Sequence, residues 1–141
     1  MDNIKNNQSS LVGQRAEFEV LVTEEMIQKF SQLSGDCNPL HLSSSHAIKL
    51  GYSSNVVHGM LLASFVSRLV GEHLPGGDVL LLSVKLNFHK SIHPQSLITV
   101  FGEILTESSS TQTMEIKFGL QKAKELICTG TALVQKLLKG N

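Results

Sequence analysis

The sequence lacks any excess of one charge, since 12 lysines and arginines balance 12 aspartates and glutamates. A protein whose main partner is nucleic acid or an anionic membrane surface usually carries a basic patch, so this balance argues against both classes of partner. Long apolar runs are missing too: stretches such as residues 60–63 fall far short of the roughly 20 residues that a membrane-spanning helix needs. The polar first ten residues contain no apolar segment typical of a secretory signal.

Cysteine and proline are also scarce, with two and three residues respectively, and tryptophan is absent. A domain held together by disulfides usually has more cysteines, and Cys37 and Cys128 lie far apart in different contexts. Free thiols in a reducing compartment are therefore expected. Together these absences predict a globular protein of the cytoplasm.

The 141 residues suit one ordinary domain and are too few for two separate cores. No internal repeat or linker divides the chain. We expect a flexible N-terminal tail at residues 1–10, a single domain at 11–138 and a short C-terminal tail at 139–141.

The first half of the chain is predicted to be mostly helical. Alternating apolar residues at 14–22 favour a first strand, and Thr23 then looks like the N-cap of a helix of about ten residues that ends at Gly35. Pro39 forces the residue before it into an extended conformation, which excludes a regular helix across residues 36–41. A short helix is expected at 43–50, with Gly51 ending it.

The second half changes from helical to strand periodicity. Residues 58–73 are apolar nearly all round, which is typical of a buried helix. Four stretches with a period of two follow, at 80–88, 97–105, 113–120 and 126–138. One strand, a helical region and four further strands predict an α+β fold, in which an antiparallel five-stranded sheet wraps around a long central helix.

The loop at residues 36–41 contains a carboxylate and an imidazole five residues apart, Asp36 and His41. Catalytic groups concentrate in loops that rigid elements position, and such a pair can remove a proton from water and return one to a substrate. The alternative is structural: Asp36 caps a turn and His41 makes ordinary packing contacts. The spacing alone does not decide between these interpretations.

A second candidate is the start of the long helix at His58 and Gly59. A helix N-terminus presents unpaired amides and a positive dipole, and a glycine there lets a ligand oxygen approach closely. Such an arrangement can hold a carbonyl oxygen on which negative charge develops. The alternative is that His58 caps the helix and Gly59 satisfies packing.

The two motifs together, DCNPLH at 36–41 and HGMLLAS at 58–64, resemble the signature of the (R)-specific enoyl-CoA hydratases, which are MaoC-like hydratases of hot-dog fold. The distance between the motifs also agrees, and the resemblance covers residues 12–138. It implies syn addition of water to a trans-2-enoyl thioester, giving a (3R)-3-hydroxyacyl product, without a metal or redox cofactor. It also implies a homodimer.

The resemblance assigns roles to particular residues. Asp36 is the base for the attacking water, His41 donates a proton at C2, and the amide of Gly59 polarises the thioester carbonyl. Asn38 braces the loop. The other residues expected to contact substrate or to line the acyl pocket are Met60, Tyr52, Ser67, Val70 and Leu133.

Three positions depart from the family pattern and affect the expected substrate range. Ser43 stands where an acidic residue is frequent, Tyr52 replaces a phenylalanine, and Asn55 replaces a proline or arginine just before the second motif. The six histidines show no metal-ligand spacing, and Cys37 is not expected to act as a nucleophile.

Three rival functions remain at this point. A dehydratase that acts on acyl-carrier-protein thioesters uses the same chemistry in reverse, but the sequence has no evident basic landing patch for a carrier protein. A hot-dog thioesterase usually has its carboxylate on the central helix, and residues 58–70 contain none. A non-catalytic acyl-binding regulator is expected to lack the Asp–His pair.

Overall fold

The computed structural model describes residues 9–139. Residues 1–8 of the tail predicted at 1–10, and residues 140–141 of the tail predicted at 139–141, therefore lie outside the described residues. The elements in chain order are β1 (Arg15–Val22), α1 (Glu24–Ser34), α2 (Pro39–Leu42), α3 (Ser44–Lys49), α4 (Gly59–Arg68), a π-helical turn that continues α4 (Leu69–His73), β2 (Val79–Phe88), β3 (Ser96–Ser108), β4 (Thr113–Lys122) and β5 (Glu125–Lys136).

The five strands form one antiparallel sheet in the order β1-β3-β4-β5-β2. Side chains alternate across each strand, so every second residue of β3, β4 and β5 points to the inner face. There they pack against α4 and the π-helical turn, and together these elements form the core (Leu62, Val66, Leu69, Ile98, Val100, Ile104, Ile116, Phe118, Leu120, Ala132 and Val134). The predicted fold, a sheet around a central helix, is confirmed.

The local signals of the first half are also confirmed. The side chain of Thr23 accepts a hydrogen bond of 3.2 Å from the amide of Met26, and Gly35 ends α1 in the left-handed conformation at φ 79°. That conformation is strained for a residue with a Cβ, which explains why glycine stops the helix there. The short helix expected at 43–50 is found as α3, with Ser43 as its N-cap and Leu50 as its C-cap.

The prediction of an irregular loop across residues 36–41 is only half right. Asn38 is extended (φ −55°, ψ 129°), as a residue before proline must be, but Pro39 then begins the single helical turn of α2. Proline suits the first position of a helix because its fixed φ is already helical and its missing N–H has no acceptor there. His41 therefore lies on a short helix rather than in a loop.

The expectation that the central helix is buried all round is wrong. Met60 is 63% exposed, and Ser64, Ser67 and Arg68 are exposed beside it. The sheet of the same chain covers only the opposite side of α4, because a single curved sheet can contact one face of a helix. Among the described residues, no helix is long and apolar enough to cross a membrane.

The edge strand β2 also has an open apolar surface. Its alternation predicts one buried face, but most of its side chains are exposed, including the apolar residues Leu80, Leu81, Leu82, Val84 and Phe88. The strand lies at the end of the sheet and pairs only with β5. An unpaired, apolar edge of this kind is a ready surface for association with another chain.

Candidate active site

His41 is held by a hydrogen bond from its ring. Its Nδ1 lies 2.7 Å from the backbone oxygen of Val56. A carbonyl oxygen only accepts, so Nδ1 carries a proton and donates it. In the neutral ring Nε2 is then unprotonated and can accept a proton, and in the cationic ring Nε2 can donate one.

Asp36 lies next to this ring, just after the end of α1. One of its carboxylate oxygens accepts a hydrogen bond of 3.2 Å from the amide of Asn38, which closes a tight local turn. One carboxylate oxygen of Asp36 and one ring nitrogen each of His41 and His58 all lie within 4.8 Å of one another. The carboxylate is exposed and the imidazole of His41 is half-buried, so the pair combines access to solvent with a fixed position.

His58 is a buried histidine under the pair, with 1% of its surface exposed. Its ring stacks on that of His41, with centroids 4.0 Å apart and planes inclined by 27°. Its Nε2 lies 3.1 Å from both the hydroxyl of Ser31 and the backbone oxygen of Asp36. Because the carbonyl only accepts, Nε2 carries the proton, and Nδ1 has no partner among the described residues. His58 therefore braces the site, and its side chain does not cap α4.

The same three side chains are close enough to raise the question of a metal ion. Zinc requires imidazole nitrogens to converge on one point at about 2.0–2.1 Å. The rings of His41 and His58 are instead stacked nearly parallel, so their in-plane lone pairs do not converge. Nε2 of His58 is also occupied by Ser31 and the backbone of Asp36. This arrangement fits acid/base chemistry better than metal binding, and the metal-free site stays a prediction.

A pocket of about 330 Å³ opens beside His41, and Asp36 is not among the residues that line it. Its lining combines the N-terminal end of α4, the segment before it, and the end of β2 with the residues that follow (His41, Tyr52, Val56, Val57, Gly59, Leu62, Phe88, His89, Lys90 and Ser91). Gly59 is the first residue of α4, so its amide has no acceptor within the helix. The lining of the pocket therefore includes both the ring of His41 and the first residue of α4.

The other predicted site residues are only partly brought together. Tyr52 lines the pocket, and the side chain of Asn38 braces the loop by accepting a hydrogen bond of 3.0 Å from the amide of Leu40. Met60 and Ser67 lie on the exposed side of α4, outside the lining of this pocket.

The two residues expected to limit pocket depth also lie elsewhere. Val70 is buried in the core at the π-helical turn. Leu133 points to the outer face of the sheet, because it is 36% exposed between the buried residues Ala132 and Val134. Neither residue lines the pocket beside His41 within the single chain.

The sequence analysis missed several residues that contact the site. Ser31 bonds His58, Val56 holds the ring of His41, and Phe88 covers the face of Gly59. The signal for Ser31 was weak, since a serine on a helix is usually exposed. The other two contacts join residues distant in sequence and left no local pattern.

This fold and site define a class of protein: a hot-dog domain with an Asp–His pair beside the N-terminus of its central helix. Residues 7–124 match the family model described as the MaoC like domain. The chain belongs to this family.

Its relatives include an (R)-specific enoyl-CoA hydratase of Aeromonas caviae, which is 34% identical over 130 residues, covering 91% of this chain and 96% of the relative. The solved structure of an (R)-hydratase from A. caviae involved in PHA biosynthesis superposes with a TM-score of 0.88 at 30% identity, covering 92% of this chain and 99% of the other. An R-hydratase from Pseudomonas aeruginosa gives a TM-score of 0.84 at 26% identity, covering 89% and 81%.

Proposed function

We propose that this protein is an (R)-specific enoyl-CoA hydratase, which adds water to trans-2-enoyl-CoA and forms (3R)-3-hydroxyacyl-CoA. The observation that carries the proposal is the pairing of Asp36 with a ring whose tautomer is fixed by Val56. The relative from A. caviae, similar over nearly the full length of both chains, supports the choice of reaction.

The proposed reaction uses side chains and water alone. Asp36 takes a proton from the attacking water, whose oxygen bonds to C3, and cationic His41 gives the proton on Nε2 to C2. The amide of Gly59 stabilises the negative charge that develops on the thioester oxygen between these two events. Afterwards Asp36 is protonated and His41 is neutral, and exchange with solvent restores both. The reverse sequence describes dehydration.

The test is the loss of the enoyl-thioester absorbance when purified protein meets crotonyl-CoA. Asp36→Asn and His41→Gln preserve side-chain size but remove proton transfer, so kcat should fall on the order of 10²–10⁴-fold in each. Cys37→Ser is a matched control in the same loop, since Cys37 is exposed, and it should retain activity. Chiral analysis of the product should give the (R) isomer. Unchanged absorbance with crotonyl-CoA and longer enoyl-CoA thioesters would refute the proposal for this carrier.

The second candidate is a dehydratase that acts on acyl-carrier-protein thioesters. A mitochondrial 3-hydroxyacyl-[acyl-carrier-protein] dehydratase of Arabidopsis thaliana is 34% identical, but over 83 residues that cover 59% of this chain and 45% of the relative. At the pocket mouth, Lys90 is paired with Glu125 and is therefore not a free basic contact for a carrier. Comparing kcat/KM for crotonyl-CoA with that for crotonyl-acyl-carrier protein separates the two candidates, because each enzyme should prefer its own carrier.

The thioesterase alternative is disfavoured by the central helix. No carboxylate occurs between Gly59 and Arg68, so α4 offers no group to activate a water at a thioester carbonyl. Thiol release from saturated acyl-CoA, followed with a thiol reagent, should therefore stay at the level of the buffer.

We further propose a homodimer, formed at the β2 edge and the exposed side of α4. Two surfaces are uncovered in the single chain: the apolar strand β2 with its unpaired edge, and the exposed side of α4, where Met60 lies beside Ser64, Ser67 and Arg68. Light scattering during size exclusion should give twice the mass of the chain. Val84→Glu on β2 should yield monomers, whereas the control Leu97→Lys, at an exposed apolar residue of β3, should leave the dimer intact. A monomeric wild-type protein would contradict this proposal without affecting the chemistry.

A further inference from the structure

Asn55 is a buried polar residue, 4% exposed, between the two motifs. Its amide nitrogen donates to the backbone oxygen of His41 at 2.9 Å and to both carboxylate oxygens of Glu24 at 3.0 and 3.3 Å. Its side-chain oxygen accepts a hydrogen bond of 3.0 Å from the hydroxyl of Ser44. One side chain thus joins α1, α2 and α3.

The orientation of this amide is fixed by its partners. The carboxylate of Glu24 and the carbonyl of His41 can only accept, so both must face the NH₂ group. The hydroxyl of Ser44 can donate to the oxygen on the other side. A flipped amide would place its oxygen against two acceptors, and a buried polar group without a partner is strongly destabilising.

We infer that Asn55 is a positioning residue for His41, acting with Glu24 as its anchor. This inference rests on the proposed function of the site. The helix α2 has only four residues, too few to hold its own geometry, because a single helical turn is unstable by itself. The position of His41 must therefore come from contacts outside α2.

Three hydrogen bonds from Asn55 and Val56 supply those contacts. The side chain of Asn55 holds the His41 carbonyl, the amide of Val56 donates to the Leu40 carbonyl at 3.0 Å, and the Val56 carbonyl accepts from Nδ1 of His41. The backbone and the ring of His41 are thus fixed by two adjacent residues. If Asn55 lets α2 shift, the bond from Nδ1 to Val56 lengthens. The ring of His41 then loses its fixed position beside Asp36, and the neutral ring is no longer held as the Nδ1–H tautomer.

The same residue also connects, through His93, to Tyr52 in the lining of the pocket. Its backbone oxygen accepts a hydrogen bond of 2.9 Å from Nδ1 of His93. The ring of His93 packs edge-on against that of Tyr52, with centroids 6.5 Å apart, and Tyr52 lines the pocket. Asn55 is also a position at which the sequence departs from the family pattern. The geometry of the site in this chain therefore depends on a residue outside both motifs.

The experiment compares four variants with the wild type. Asn55→Ala removes the whole contact. Asn55→Asp keeps the acceptor for Ser44 but places a carboxylate against Glu24 and the His41 carbonyl. Adding Glu24→Gln to Asn55→Asp supplies a donor to the new carboxylate and restores the buried network, yet leaves the His41 carbonyl without its donor. Gln28→Ala is the control, because Gln28 is an exposed residue of α1 whose side chain donates one long hydrogen bond, of 3.5 Å, to Glu24.

Three readouts separate positioning from a purely structural role: kcat and KM on crotonyl-CoA, melting temperature, and the ¹⁵N shifts of the His41 ring, assigned with His41→Gln. For Asn55→Ala we expect kcat to fall on the order of 10–100-fold with KM nearly unchanged, and the Nε2–H tautomer to appear. The double variant should melt higher than Asn55→Asp while its kcat stays low. Gln28→Ala should match the wild type in all three.

Two results would overturn the inference. One is a folded Asn55→Ala protein whose kcat lies within twofold of the wild type or whose His41 keeps the Nδ1–H tautomer. The other is a double variant that regains full kcat, which would mean that Asn55 supports the fold alone. The ring shifts do not depend on turnover, so they decide the inference even if the wild type fails to hydrate crotonyl-CoA.

Discussion

Gly130 is the position at which the smallest change should have the largest effect on the fold. It lies in the middle of β5, opposite Leu86 of β2 and Phe118 of β4. A Cβ at this position would lie 1.9 Å from the backbone oxygen of Lys85 and 2.7 Å from the ring of Phe118. Phe118 is 1% exposed and enclosed by the core, so it cannot turn away. In Gly130→Ala, β2 itself must move.

The size of the effect follows from that distance. Carbon and oxygen atoms in close contact across a sheet are about 3.3–3.6 Å apart, so β2 would have to retreat from β5 by roughly 1.5 Å. Overpacking in a core costs about 1–3 kcal/mol, and each ladder hydrogen bond that is lost costs about 1 kcal/mol more. We therefore expect a loss of about 3–5 kcal/mol in the free energy of unfolding, out of the 5–15 kcal/mol typical of a domain.

The assay is thermal and urea-induced unfolding of Gly130→Ala beside Gly119→Ala. A drop of about 3 kcal/mol corresponds to roughly 10 °C in a domain of this size. A Cβ at Gly119 would also be too close, at 2.5 Å, but only to the ring of Phe101, a half-buried side chain that can move. Gly119→Ala should therefore cost about 1 kcal/mol or less. Equal losses in both variants, or an unchanged melting temperature in Gly130→Ala, would refute the reasoning.

Three further predictions concern other parts of the molecule. Thr23→Ala removes the N-cap of α1 and should lower the free energy of unfolding, measured in urea, by about 1 kcal/mol. No change would mean that water bonds the amide of Met26 as well as the side chain of Thr23 does. A thiol reagent should label Cys37 alone in the native protein, because burial raises the pKa of the Cys128 thiol and blocks access; two reactive thiols before unfolding would contradict this. Gly59→Ala places a Cβ 3.2 Å from the ring of Phe88, which is half exposed and can turn, so the melting temperature should stay unchanged. The new methyl group enters the pocket, so kcat/KM should fall at least about 10-fold. Full activity would show that substrate does not approach this amide.

The elements predicted correctly are those whose signals are local. Alternation at β1, the cap at Thr23 and the stop at Gly35 each depend on backbone geometry within a few residues. The motif of Asp36 and His41 was equally readable, because both residues lie in one short segment. The start of α2 at Pro39 could not be read in the same way, because a proline disfavours helix in the residue before it but favours helix in the residues after it.

The remaining features depend on which segments meet, and sequence periodicity does not contain that information. The stack of His58 on His41 joins residues 17 positions apart, and Asn55 reaches Glu24 over 31 positions. An apolar stretch also does not show which of its sides the sheet will cover, so α4 was predicted to be more buried than it is. The sequence by itself determined the fold class, because local propensity suffices for it, and it singled out Asp36 and His41 as the candidate acid/base pair through the resemblance of two motifs. Only the tertiary structure decided the tautomer of His41 and the contacts that hold it, because a proton's position depends on which distant carbonyl lies within 3 Å of the ring.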